Sequence, residues 1–193
     1  MKIGLYFGSF NPIHVGHLII ANYMVEFTDL DQVWLVVTPH NPHKNKTSLL
    51  ADHHRFEMVY LATKNYPKLK PSDVEFKLPQ PNYTIQTLVH LSEKYPQHQF
   101  SILMGEDNLD SLHKWKNYEV ILENYSIYIY PRKGTFTNEN NLKNHKNIHL
   151  VEAPIIELSS TFIRQAIKDK KNIAPMLPDA VFEYLDHNLF YTK

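Results

Sequence analysis

The stretch Gly8-Ser9-Phe10-Asn11-Pro12-Ile13-His14-Val15-Gly16-His17 stands directly after the apolar run Lys2 to Phe7 and opens a segment, Val15 to Phe27, in which Leu18, Ala21 and Val25 recur at helical spacing. Beyond a short link comes Val33-Trp34-Leu35-Val36-Val37, a compact β-branched and aromatic run of the kind that forms a buried strand. Strand, turn, helix and strand in this order predict a right-handed βαβ unit, and hence a parallel sheet.

The rest of the chain extends the alternation. Helices are expected over Leu50 to Lys64 and Thr84 to Tyr95, the latter with apolar Ile85, Leu88, Val89 and Leu91. Strands are expected over Ser72 to Lys77, Gln99 to Met104, Ser126 to Tyr130 and Ile148 to Val151, with short helices between Gly105 and Glu123. Two last helices follow at Ser160 to Lys168 and Asp179 to Asn188, with Pro178 placed near the start of the second. The polar stretches Thr38 to Ser48 and Arg132 to Asn147 read as loops. The pattern is that of a doubly wound α/β sheet in one domain, residues 1–193, whose C-terminal helical part begins near residue 155. In such sheets ligands sit outside the carboxyl ends of the strands.

Composition narrows the function classes. At 193 residues the chain is long enough to bury a sizeable core, and no apolar run approaches the roughly 18 residues that span a membrane. The apolar start, Ile3 to Phe7, is also too short for a secretory signal, so a cytoplasmic protein is expected. The absence of cysteine excludes disulfides, thiolate metal sites and cysteine nucleophiles. Twenty basic residues balance twenty acidic ones, which argues for small anions rather than nucleic acid as partners.

The first turn carries the chemistry. A strand-to-helix turn presents backbone amides and the positive end of the helix dipole, which together attract a phosphate. His14 and His17, three residues apart at the helix entrance, can share one face and donate to one phosphate group. A lone histidine there would be read as a cap or as packing; two flanking Gly16 point to a phosphate site. His53 and His54 form a pair of another kind, since neighbouring helical positions diverge by about 100° and cannot serve one metal from one face. No protein-caged metal is expected.

The segment resembles the HxGH signature of the nucleotidyltransferase superfamily, which implies a Rossmann-like fold. The usual pattern has Asp where this chain has Asn11. Further elements resemble those of bacterial nicotinate-nucleotide adenylyltransferases: Pro42-His43-Lys44, His54-Arg55, Pro81-Asn82-Tyr83-Thr84, Gly105-Glu106-Asp107, Trp115, and Leu158-Ser159-Ser160-Thr161-Phe162-Ile163-Arg164. The resemblance runs nearly the length of the chain. It implies transfer of AMP from ATP to nicotinate mononucleotide, with Mg²⁺ accompanying the nucleotide and no covalent intermediate. It implies catalytic roles for His14, His17 and Arg164. ATP would be held by Gly8, Ser9, Phe10, Gly16, Gly105, Asp107, Ser159, Ser160 and Thr161, and the acceptor by His43, Lys44, Tyr83, Thr84, Trp115 and Arg132.

Isolated, several of these residues have plainer readings: Ser-Ser-Thr before a helix is an ordinary N-cap, and Tyr83 and Trp115 suit a core or its rim. Rival readings are a phosphopantetheine adenylyltransferase or cytidylyltransferase, which share the first motif, and a nucleotide sensor with a decayed site. A dinucleotide-dependent oxidoreductase is disfavoured by only five glycines and no Gly-x-Gly-x-x-Gly after a strand. Nicotinate against nicotinamide in the acceptor, and homo-oligomerisation, stay open at this level.

Overall fold

The computed structural model describes residues 1–39, 49–132 and 141–192. Within them the opening unit forms as the sequence predicts: β1 (Lys2–Gly8), α1 (Val15–Phe27) and β2 (Gln32–Val37). There follow α2 (Asp52–Thr63), β3 (Leu69–Ser72), α3 (Thr84–Lys94), β4 (Gln99–Gly105), the short α4 (Glu106–Leu109) and α5 (Tyr118–Asn124). The chain continues through β5 (Ser126–Tyr130), β6 (Ile148–Leu150), α6 (Ser160–Lys168) and α7 (Asp179–His187).

The six strands form one sheet in the order β3-β2-β1-β4-β5-β6, with every neighbouring pair parallel. This is the doubly wound, Rossmann-like arrangement, and its strand order reverses between β1 and β4. The register sets Gly8 beside Val37 and Tyr6 beside Leu103, so the loops after β1, β2 and β4 leave the sheet at one edge. A crevice there is where such folds accept ligands.

Alternation along the strands divides the core between the two faces. Val33, Leu35 and Val37 of β2 join Ile20 and Met24 of α1, Met58 and Val59 of α2, Ile163 of α6 and Leu185 of α7. Ile3 and Leu5 of β1 pass to the other face with Ile102 of β4, Ile85 and Leu88 of α3 and Ile121 of α5. The helices after residue 155 thus pack on the same face as the first helix. No described helix is long and apolar enough to cross a membrane.

One element differs from expectation. The sequence predicts a strand over Ser72 to Lys77, but the strand is Leu69–Ser72, and Val74–Lys77 forms a 3₁₀ turn. β3 lies at the sheet's edge, where Pro71 is tolerated because no ladder bond is asked of it on the open side. The alternation of Val74 and Phe76 that resembled a pleat instead places Phe76 against Phe56, while Glu75 turns inward and is buried.

Candidate active site

The turn after β1 is held in shape by groups far away in sequence. Phe10 takes the left-handed conformation, with φ +45°, which is uncommon for a residue with a side chain. Its buried ring meets Tyr6 at 5.9 Å and His17 at 5.1 Å, both edge to face. Three successive grips fix the turn's carbonyls. Arg55 Nη1 donates to Ser9 O at 2.6 Å, Arg164 Nη1 to Asn11 O at 2.8 Å, and Ser160 Oγ to Pro12 O at 2.8 Å. Backbone acceptors buried at a turn need such partners, because an orphaned one costs about 1 to 3 kcal/mol.

The two histidines stack. Their ring centroids lie 3.7 Å apart at 28°, and the His14 backbone N–H donates to His17 Nδ1 at 3.2 Å. With Nδ1 accepting, the neutral His17 ring carries its hydrogen on Nε2. His14 is only 4% exposed, and its Nδ1 is buried without a hydrogen-bond partner among the described residues. Burial, aided by the charge of Arg132, lowers its pKa from 6.5 to about 4. His14 is therefore neutral near pH 7, and two imidazolium rings at this separation would repel. Gly16 makes the stack feasible: a Cβ there would stand 2.7 Å from Ile156 Cγ2 and 3.0 Å from His14 Nδ1.

At the ends of β4 and β5 a second group assembles. Arg132 donates through Nη2 to Tyr130 Oη at 3.1 Å, and its Nε lies 3.6 Å from Asp107 Oδ1. Its backbone N–H bonds Glu106 Oε2, while the Tyr130 and Tyr6 hydroxyls meet at 3.2 Å. Gly105 sits beneath this pair, where a Cβ would approach Asp107 Oδ1 to 2.5 Å. The structure thus joins Arg132, expected in the acceptor pocket, to Asp107 and Gly105, expected around ATP.

The α6 end combines a cap with the candidate phosphate side chains. Ser159 is the N-cap, its Oγ accepting from Phe162 N–H at 3.2 Å, and Arg164 Nη2 donates to Thr161 Oγ1 at 3.2 Å. Of the acceptor residues, Tyr83 precedes α3 and carries the Lys116 ammonium 4.5 Å above its ring. Thr84 begins α3, and Trp115 packs with Tyr83 against the second core face. His43 and Lys44 lie outside the described residues.

Three further residues support the site through contacts that sequence spacing does not announce. In the sequence Arg55 figures only in the His54-Arg55 element, yet its side chain is fully buried and also donates to Thr38 O at 2.9 Å and Leu50 O at 3.0 Å. The signal existed, since Arg55 shares a helical face with the buried Met58, Val59 and Ala62. Tyr191, whose hydroxyl bonds Asn11, gave no signal of its own. Glu75 accepts from Thr87 Oγ1 at 2.8 Å beside the Tyr83 segment, and burial raises its carboxyl pKa. His53 and His54 depart from expectation, because their rings approach to 4.0 Å instead of diverging; His54 Nδ1 meets Tyr184 Oη at 2.8 Å.

Comparison with known proteins adds three findings. Residues 5–166 match the family described as cytidylyltransferase-like. The chain is 66% identical, over the full length of both, to a probable nicotinate-nucleotide adenylyltransferase of Flavobacterium psychrophilum, and 52% identical over the same span to one of Cytophaga hutchinsonii. A Plasmodium falciparum nicotinic acid mononucleotide adenylyltransferase complexed with NaAD superposes with a TM-score of 0.81 at 20% identity, covering 98% of this chain and 97% of that one, which is a likeness of fold.

Proposed function

The chain belongs to the cytidylyltransferase-like family and, within it, to the nicotinate-nucleotide adenylyltransferases, and from that premise we propose how the crevice outside β1 and β4 moves AMP from ATP to nicotinate mononucleotide. An oxygen of the acceptor's 5′-phosphate bonds to the α-phosphorus of ATP. The bond from that phosphorus to the bridging oxygen breaks, and pyrophosphate leaves with the electron pair. The products are nicotinate adenine dinucleotide and pyrophosphate.

One observation carries the assignment of the site. Ser160 and Arg164 are bonded to the carbonyls of Pro12 and Asn11, so the start of α6 is docked against the turn that holds His14 and His17. Two candidate phosphate motifs widely separated in sequence are thus in direct contact. Alignment and charge stabilisation suffice for this class of reaction, and no activated nucleophile is needed. His14 and His17 donate to the α-phosphate as negative charge develops on it; His14, neutral beforehand, gains proton affinity as that charge grows. The amides of Ser159, Ser160 and Thr161 with the Arg164 guanidinium receive the departing pyrophosphate. Gly8, Ser9, Phe10, Gly16 and Gly105 admit the nucleotide, with Asp107 at its ribose. Tyr83, Thr84, Trp115, Arg132, His43 and Lys44 form the acceptor's surroundings.

Among the described residues no three acidic or histidine side chains gather to cage an ion. Glu106 and Asp107 are turned to Arg132. In this reading Mg²⁺ would come with the triphosphate, held by phosphate oxygens and water, and neutralise their charge.

Pyrophosphate release from ATP, measured with nicotinate mononucleotide, nicotinamide mononucleotide or phosphopantetheine, tests the reading. Turnover is expected with nicotinate mononucleotide. Release with none of the three contradicts it, and faster release with nicotinamide mononucleotide moves the specificity.

A further inference from the structure

After α7 the chain does not run away from the fold. Leu189 and Tyr191 both take left-handed backbone angles, φ +52° and +63°, a conformation uncommon for residues with side chains. Phe190 N–H caps Leu185 O at 3.1 Å, and the Phe190 ring lies 4.7 Å from that of His54 on α2 and 5.9 Å from that of Tyr184 on α7. This bend delivers the Tyr191 hydroxyl to the inner side of the histidine turn, 2.6 Å from Asn11 Oδ1.

Asn11 is 1% exposed, and its amide oxygen receives a second donor, the Leu50 N–H, at 3.2 Å. A backbone N–H can donate only to an acceptor, so the atom facing both partners is the oxygen, and Tyr191 is the donor. Burial raises the Tyr191 pKa, against the opposing charges of Arg164 and Arg55, so the phenol keeps its proton at neutral pH. The same Asn11 receives Arg164 Nη1 on its backbone carbonyl, and it stands three residues before His14. An Asp at this position would have offered the same acceptor with a buried charge. Asn11 offers it neutral, and the tyrosine meets it.

We infer that Tyr191 is a positioning residue for adenylyl transfer, acting through Asn11 to hold the histidine turn and Arg164 in register. The inference rests on the proposed reaction and extends it to a residue outside every motif quoted above. Tyr191 touches no reacting atom in this scheme. Its hydroxyl fixes one amide, the amide fixes a turn, and a displacement of about 1 Å at the turn is enough to cost up to 100-fold in rate.

The test is Tyr191→Phe in the full chain, assayed for pyrophosphate release with ATP and nicotinate mononucleotide. The ring and its packing are kept, and Asn11 Oδ1 retains Leu50 as a donor, so the variant folds. A fall in kcat of about tenfold or more is expected, with the KM for nicotinate mononucleotide within about twofold of wild type, because the acceptor's surroundings are untouched. A purely structural role would lower the melting temperature and leave kcat below that temperature unchanged, which overturns the inference. A double-mutant cycle with Asn11→Ala adds a second reading: the double variant should be no slower than Asn11→Ala alone, whereas losses that multiply show that Tyr191 does not act through Asn11 and overturn it. If the alanine variant fails to fold, Asn11→Ser, which is too short to meet Tyr191, takes its place in the cycle. Wild-type turnover in the same assay reports on adenylyl transfer itself. With that turnover present, an unchanged Tyr191→Phe removes Tyr191 alone.

Discussion

Acidification should destabilise this fold through His14, by an amount the structure sets. The ring is 4% exposed and its pKa is lowered by burial, then by Arg132, from 6.5 to about 4. A group whose pKa is depressed by folding binds its proton more readily in the unfolded chain. Its contribution is present above the unfolded value, and is lost as pH falls through the window between the two. At about 1.4 kcal/mol per pH unit, the loss traceable to His14 is negligible at pH 7, about 2 kcal/mol at pH 5, and about 3 kcal/mol near pH 4. Urea unfolding of wild type and of His14→Gln at pH 7, 6, 5 and 4 measures it. Glutamine does not titrate, and the exposed Asp29, whose pKa is also lowered through its bond to Lys2, contributes alike to both proteins and cancels in the difference. The wild type should lose about 2 kcal/mol relative to the variant between pH 7 and pH 5. Two curves that stay parallel over that interval would refute the argument that His14 is held neutral by burial.

Other perturbations follow from the same contacts. Arg55→Ala strips donors from the Ser9, Thr38 and Leu50 carbonyls around a fully buried site, and should lower stability by about 3 kcal/mol or more in denaturant titration, at about 1 kcal/mol or more per orphaned acceptor; a loss below about 1 kcal/mol contradicts the role given to Arg55. Gly16→Ala brings a methyl to 2.7 Å from Ile156 and 3.0 Å from the His14 ring. The gain in helix propensity of about 1 kcal/mol partly offsets overpacking of about 1 to 3 kcal/mol, so kcat should drop by about tenfold while the melting temperature moves little. An unchanged kcat would show the histidine stack to be dispensable. For Glu75 the sign reverses: burial raises its pKa, so the stability lost as pH rises through that value should be recovered in Glu75→Gln. The variant's advantage should be larger at pH 8 than at pH 4, and an advantage independent of pH counts against the buried carboxyl.

Much of the architecture was legible because its strands are buried on both faces and therefore write short apolar runs bounded by turns. β5 and α6 fall where expected, at Ser126–Tyr130 and Ser160–Lys168, and α1 spans Val15–Phe27 as its periodicity implies. β3 was misplaced because an edge strand containing Pro71 writes a weak signal, while the following turn happens to alternate. At the site, residue types and spacing point to phosphate at His14 and His17, whereas the start of α6 reads by itself as an N-cap and takes its phosphate role from the family resemblance. What spacing could not carry was the support: carbonyls of Ser9, Asn11 and Pro12 held by Arg55, Arg164 and Ser160, and a tyrosine returned to Asn11 by two left-handed residues. Such contacts join distant segments through backbone atoms, which have no identity in a sequence. The close approach of the tilted His53 and His54 rings escaped for a related reason, since side-chain rotation overrode the 100° offset of adjacent helical positions.

Adenylyl transfer is proposed to occur at the turn holding His14 and His17. The most direct test is the rate of nicotinate adenine dinucleotide formation by His17→Ala from saturating ATP and nicotinate mononucleotide, with folding verified by an unchanged unfolding midpoint. Loss of a donor aimed at developing charge predicts a fall of about 100- to 1,000-fold in kcat. A folded variant that forms the dinucleotide at near wild-type rate would contradict the account.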